Sequence, residues 1–285
     1  MNILYLHNKT NIGGGEQSLT NLWMTLNKEE YSPHLVLPQN GLFGELANRD
    51  GIPVDYCSVP RLMPKNFLKI IKACRQLQKI CFKENIDIIH SYTPRNNILA
   101  SIIGRIFRVP VIWHERNMIF GGEYDISRKF MFLPDKIICN SNAVASRFEK
   151  QGKVPPKVKT ILNGVDTQRF KPGSANQDFI EKYNLKDKMV VGLLSNLDKR
   201  KQPESFLKAC PKVLKALPNT VFLIVGGELD EESNGRRAEL ELLTADLNIS
   251  KNVHFTGFLS EIEKVIGVFN IGVAVTEKEA CAGQY

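Results

Sequence analysis

Short apolar runs alternate with helix-period segments along almost the whole chain, and this alternation limits the fold more than any other feature. The strand candidates are Ile3–His7, His34–Leu37, Val54–Ser58, Ile86–Ser91, Val111–His114, Lys136–Asn140 and Lys159–Leu162. After a break come Met189–Leu194, Val221–Val225, Val253–Phe255 and Ile271–Val275. Several are continuously apolar, as parallel strands covered on both faces must be. Strands interleaved with helices predict an α/β chain with doubly wound sheets. The break runs from Asn163-Gly164-Val165-Asp166 to Lys171-Pro172-Gly173 and is rich in turn formers. With 285 residues, enough for about two domains, the expected division is a first domain over 1–165, a linker over 166–187 and a second domain over 188–285.

Ligands of such sheets sit beyond the carboxyl ends of the strands, so the residues just after each strand carry the functional signal. After the first strand comes Gly13-Gly14-Gly15-Glu16, followed by a helical pattern of Leu19, Leu22, Trp23 and Leu26. Strand, glycine turn and helix start together present backbone N–H groups to an anion, and glycine permits close approach and positive φ. The spacing is neither that of a dinucleotide fingerprint with its ribose-binding acid nor that of a P-loop. This argues against a dinucleotide-dependent oxidoreductase. His114, Glu115 and Arg116 end another strand, and His90-Ser91-Tyr92-Thr93 a third. The latter is equally a polar wall for a ligand and a cap for the helix beginning near Arg95.

Taken in order, these strings resemble the retaining glycosyltransferases of GT-B architecture, specifically the large family 4. The resemblance is carried by the Gly13–Glu16 turn and by Val111-Ile112-Trp113-His114-Glu115-Arg116. It continues through Ile138-Cys139-Asn140-Ser141, Ile161-Leu162-Asn163-Gly164-Val165-Asp166 and Phe170-Lys171-Pro172. In the second half it rests on Gly192-Leu193-Leu194-Ser195-Asn196-Leu197 with Lys201 and Ala209, on Val225-Gly226-Gly227, and on Phe255-Thr256-Gly257-Phe258. It implies two Rossmann-like domains facing across a cleft. The implied reaction moves a sugar from a nucleotide-sugar donor, UDP- or GDP-linked, to a saccharide or lipid-linked acceptor with retention. No metal or other cofactor is implied, and the pathway implied is cell-surface polysaccharide or glycolipid assembly.

By the same resemblance, Gly13, Gly14, Gly15, Asn196, Lys201, Gly226, Gly257 and Glu279 would bind the donor, and His114, Lys201 and Glu279 would serve catalysis. Negative charge grows on the departing diphosphate, and cations and N–H groups aimed at it stabilise the transition state. Lys201 supplies such a cation. Asn196 stands where the family most often has arginine, and an amide donates a hydrogen bond without charge; Lys199 or Arg200 is placed to restore it. His114 would orient the donor sugar rather than act as a base.

The family's second domain carries a Glu, seven further residues and a second Glu. Glu279 fits the first, and the second would fall at 287, past Tyr285. The expectation is therefore a second domain that is incomplete and a chain of little or no activity, with a catalytically inactive remnant as the alternative reading.

Charge adds one more partner. Residues 1–172 hold 24 Lys+Arg against 14 Asp+Glu, and the remainder 14 against 16, so an anionic surface should meet the first half. Arg61, Lys65, Lys69, Lys72, Arg75, Lys79 and Lys83 lie in a stretch without Asp or Glu. On one helix they would span a sector of about 120°. An ordinary exposed face mixes both signs, so the pattern predicts a basic face over 61–83 in peripheral contact with anionic lipid. Nucleic acid is not expected, because no aromatic-interleaved basic motif is present. No run of about 18 apolar residues exists, the first residues read as a strand rather than a signal peptide, and the six cysteines form no Cys-x-x-Cys pair. Together these predict a reduced, cytoplasmic protein, peripheral at the inner face of the plasma membrane.

Overall fold

The computed structural model describes residues 1–119, 124–171, 175–228, 234–259 and 261–276. They divide into two compact units, the first ending at Gly164 and the second starting at Val165. Unit 1 runs β1 (Asn2–Leu6), α1 (Gly14–Thr25), β2 (Ser32–Leu37), α2 (Leu42–Arg49), β3 (Val54–Tyr56), α3 (Phe67–Lys83), β4 (Ile88–Ser91) and α4 (Pro94–Phe107). It continues with β5 (Val111–Glu115), α5 (Ile126–Lys129), β6 (Lys136–Cys139), α6 (Asn142–Ser146) and β7 (Val158–Thr160). Its seven strands pair in parallel in the order β3-β2-β1-β4-β5-β6-β7. The order reverses between β1 and β4, which is the switch point where a doubly wound sheet opens a crevice for ligands.

Period-two alternation explains why both faces of β1 are apolar. Ile3 and Tyr5 pack with Leu19 and Trp23 of α1 and Phe43 of α2, while Leu4 and Leu6 are buried on the opposite face. The basic stretch 61–83 is not one helix. α3 starts at Phe67, Lys65 lies in a separate 3-10 turn over Pro64–Asn66, and Arg61 precedes both. Pro64 forces extended backbone on Met63, so no helix continues back through it. All seven basic side chains are nevertheless exposed, and α3 turns Ala73, Leu77, Ile80 and Cys81 inward.

Unit 2 runs α7 (Gln177–Lys182), β8 (Met189–Leu194), α8 (Pro203–Ala216), β9 (Thr220–Val225), α9 (Arg236–Asp246), β10 (Val253–Gly257), α10 (Ile262–Ile266) and β11 (Ile271–Val273). The four strands are parallel in the order β10-β9-β8-β11. Much of the stretch expected as linker belongs to this unit: Phe179 of α7 and Leu185 pack with Val190, Val221, Leu223 and Val225. Turn-forming composition conceals one buried aromatic anchor. Among the described residues no helix is long and apolar enough to cross a membrane.

Candidate active site

In unit 1 the carboxyl ends of β1, β4 and β5 bring His7, His90, Tyr92 and His114 together. Tyr92 lies 4.8 Å, centroid to centroid, from both His90 and His114, and His7 lies 5.4 Å from Tyr92. Burial, with a smaller contribution from Arg116, pushes His90 down to about 3, and burial lowers His7 to about 4. His114 is held well below the ordinary histidine value by burial first, then by His90 and Arg116. All three rings are neutral at pH 7. Ser91 Oγ, the Tyr92 hydroxyl, Thr93 Oγ1 and His114 Nε2 are buried with no hydrogen-bond partner among the described residues, as are Asn140 Oδ1 after β6 and Asn163 Nδ2 after β7. Buried polar atoms are normally paired. A row of neutral donors and acceptors beside aromatic rings matches a polyhydroxyl ligand better than an ion.

The glycine turn is built differently from an open anion cradle. Gly13 is the N-cap of α1 and its N–H donates to Glu16 Oε2 at 2.9 Å, the glutamate half of a capping box, since glycine has no side chain to return the bond. Glu16 Oε1 lies 3.3 Å from His7 Nε2. Arg116 reaches over and donates to the carbonyls of Gly14 and Gly15 at 3.3 Å each. A Cβ on Gly13 would stand 3.1 Å from Glu16 Oε2, so close approach is what glycine serves here. None of Gly13, Gly14 or Gly15 has the positive φ expected of them.

Glu115 does not face this cluster. Its Oε1 accepts from Asn97 Nδ2 (2.8 Å) and Ser127 Oγ (2.7 Å), and its Oε2 accepts from Arg147 (3.0 Å). Arg147 also donates to Asp125, at 2.8 and 3.0 Å, and to the Asn117 carbonyl. This buried arginine ties the segment after β5 to α6, next to His114. Sequence reasoning passed over it, since a lone arginine at the end of a short helix has no motif.

In unit 2 the ends of β8, β9 and β10 converge. Gly226 N–H donates to the Gly257 carbonyl at 3.0 Å, and both glycines have positive φ, 132° and 73°. A Cβ on Gly226 would stand 2.1 Å from the Ser195 carbonyl oxygen and 3.3 Å from the Asn196 nitrogen. Asn196 Oδ1 is buried and has no hydrogen-bond partner among the described residues. Lys201 closes a 3-10 turn over Lys199–Lys201 that Asp198 caps, and its side chain is half-buried. Arg200 pairs with that same Asp198 (Nε to Oδ2, 2.9 Å) and Lys199 is exposed. Asn196, Lys201, Gly226 and Gly257 thus share one end of the sheet. Glu279 lies outside the described residues.

One group of described residues has metal-ligand spacing: His34, Asp55 and Glu84. Asp55 takes Nε2 of His34 at 3.0 Å, Glu84 faces Nδ1 at 3.8 Å, and Lys83 neutralises Glu84 at 2.7 Å. The carboxylates clamp the imidazole from two sides.

The profile of Glycosyltransferase Family 4 matches residues 12–169, more than half of the chain, and that of Glycosyl transferases group 1 matches 175–280. The chain belongs to glycosyltransferase family 4. It is 27% identical over 224 residues to the UDP-Gal:alpha-D-GlcNAc-diphosphoundecaprenol alpha-1,3-galactosyltransferase of Escherichia coli, covering 73% of this chain and 56% of that one. A GDP-mannose-dependent alpha-(1-6)-phosphatidylinositol monomannoside mannosyltransferase of Mycolicibacterium smegmatis is 32% identical over 123 residues, 43% of this chain and 31% of the relative. The chain therefore spans about half or less of these relatives' lengths. Among solved structures, Anabaena Alr3699/HepE in complex with UDP aligns with a TM-score of 0.81 at 19% identity, over 100% of this chain and 76% of that one. A glycosyltransferase from Rickettsia africae aligns at 0.83 and 18%, over 98% and 74%. The fold of this family member is GT-B, built of Rossmann-like units.

Proposed function

We propose that this family 4 chain carries the machinery to transfer a hexose from a nucleoside-diphosphate sugar to a saccharide or lipid-linked acceptor with retention, in cell-surface polysaccharide or glycolipid assembly. The observation that carries this reading is the set of unpartnered buried polar atoms on Ser91, Tyr92, Thr93 and His114, where the Tyr92 and His114 rings pack together. Neutral, two-sided hydrogen bonding against aromatic rings is what a sugar needs. Support for the donor class comes from relatives named for UDP-galactose and GDP-mannose and from a neighbouring structure that holds UDP.

In this reading unit 2 holds the nucleotide. Gly226 and Gly257 leave room for close approach, and Lys201 meets the charge that grows on the diphosphate as the sugar–oxygen bond breaks. Asn196 adds an amide dipole. In this reading no metal ion is required, so a chelator leaves nucleotide binding by the chain unchanged. The bond electrons leave with the diphosphate, and the acceptor oxygen bonds to the sugar on the same face. The acceptor proton passes to a phosphate oxygen of the leaving group. The basic face over 61–83, with Met63, Phe67 and Leu68 exposed beside it, meets the anionic membrane that bears a lipid-linked acceptor.

Calorimetric titration with UDP and with GDP tests the reading. Saturable binding of one of them, weakened about tenfold, or roughly 1.4 kcal/mol, by Lys201→Ala, is expected. No saturable binding of either would favour the inactive-remnant reading.

A further inference from the structure

Three histidines meet at the switch point of the unit 1 sheet, and their ring nitrogens are not equivalent. Nδ1 of His7 accepts the Lys9 N–H at 3.1 Å. The proton of this neutral ring therefore sits on Nε2, which faces Glu16 at 3.3 Å. His90 and His114 are bonded to each other. Nε2 of His90 lies 3.2 Å from Nδ1 of His114, with the rings nearly parallel at 13° and 5.3 Å between centroids.

Both rings are neutral, so the pair carries two N–H protons and only one occupies the shared axis. There are two arrangements. If His90 donates, both rings carry their proton on Nε2. If His114 donates, both carry it on Nδ1. The Nε2–H form is the intrinsically favoured tautomer of a neutral histidine, and the first arrangement keeps both rings in it. It also leaves His114 with an N–H on Nε2, the atom that is buried and without a partner among the described residues.

We infer that His90 is a positioning residue that donates Nε2–H to His114 Nδ1 and so holds His114 as an N–H donor, its Nε2 offered to a hydroxyl oxygen of a bound sugar. The inference rests on the sugar-binding reading of unit 1 and deepens it. With Nδ1 occupied and Nε2 protonated, His114 has no lone pair to offer the acceptor hydroxyl and cannot act as a base. Tyr92, against both rings, fixes their plane while His90 fixes the proton.

Histidine-selective ¹⁵N NMR of the 285-residue chain at pH 7 tests this without any turnover. The chain has five histidines, assignable by single substitution. His114 should show a protonated Nε2 and an unprotonated Nδ1 with the shift of a hydrogen-bond acceptor. In His90→Phe, which keeps an aromatic ring and removes the donor, that shift is lost and the tautomers mix. His90→Gln, which can still donate, restores it. The His7 signals stay put in both variants and report an intact fold. A wild-type His114 protonated on Nδ1, or a His114 pattern unchanged in His90→Phe, would overturn the inference. The first of these readouts is made on the wild-type chain. Absence of nucleotide binding in the titration above would sink the functional reading and leave the NMR result standing, so the two failures are distinguishable.

Discussion

Arg147 offers the sharpest test of how unit 1 holds its site together. Its guanidinium is 6% exposed and pairs with Glu115, 5% exposed, at 3.0 Å and with Asp125, 15% exposed, at 2.8 Å. Arg147→Met keeps most of the stem packing and deletes the charge. Glu115 retains Asn97 and Ser127 on Oε1, but Oε2 is left as a buried carboxylate oxygen without its cation. Breaking a buried pair from one side costs about 3–5 kcal/mol. A Coulomb estimate at 3 Å with an effective dielectric of about 20 gives the same order, roughly 5 kcal/mol. Against a domain stability of about 5–15 kcal/mol, that is a large fraction. The chain has two tryptophans, Trp23 and Trp113, and both lie in the core of unit 1, so intrinsic fluorescence during urea unfolding reports this unit selectively. With a slope of about 2 kcal/mol per molar urea, the midpoint falls by roughly 2 M. Adding Glu115→Gln to the variant removes the stranded charge and recovers more than about 1 kcal/mol, a coupling that the double-mutant cycle measures. A loss below about 1 kcal/mol for Arg147→Met, or an additive cycle, would refute the account of a charge-clamped segment beside His114.

Acidification should unfold the same unit early. His7 and His90 are lowered to about 4 and about 3 by burial, so below the unfolded value of about 6.5 the unfolded chain binds protons that the folded one refuses. Their contribution is fully present above that pH and is lost as pH falls, by about 2 kcal/mol each at pH 5; His114 acts in the same direction. Urea midpoints unchanged from pH 7 to pH 5 would contradict this. Gly226→Ala should cost about 2 kcal/mol or more, because its Cβ would meet the Ser195 carbonyl at 2.1 Å in a backbone at φ 132°. Gly272→Ala, with nothing within 4 Å of the new Cβ, is the neutral control; thermal circular dichroism separates them, and equal melting refutes the steric argument. The chain should co-sediment with phosphatidylglycerol vesicles and not with phosphatidylcholine. Reversing Lys69, Lys72 and Lys79 to Glu should lower that partition by roughly 100-fold or more, at about 1 kcal/mol per basic residue lost. Equal binding to neutral vesicles would remove lipid charge from the reading.

What the sequence determined by itself was everything written with a local period. The strands of both sheets were legible, their ends displaced by at most a few residues, because a parallel strand covered on both faces must be apolar throughout. Met189–Leu194 is identical in both. The start of α3 was misread, because the charge spacing runs on through the Pro64 turn and the basic stretch was expected as one helix from Arg61. The strand ends were singled out as the place to look, and His114, Asn196, Gly226 and Gly257 lie at or just past the ends of β5, β8, β9 and β10. Tertiary structure alone decided which of them meet. His90 and His114 are neighbours because the sheet order places β4 beside β5. His7 joins them because β1 lies on β4's other side, where the order reverses. Phe179 became core rather than linker, and Glu115 and Arg147 became each other's partner, for the same reason. Local periodicity sets which way a side chain points; its partner is set by strand order, which brings together residues 24 to more than 80 positions apart.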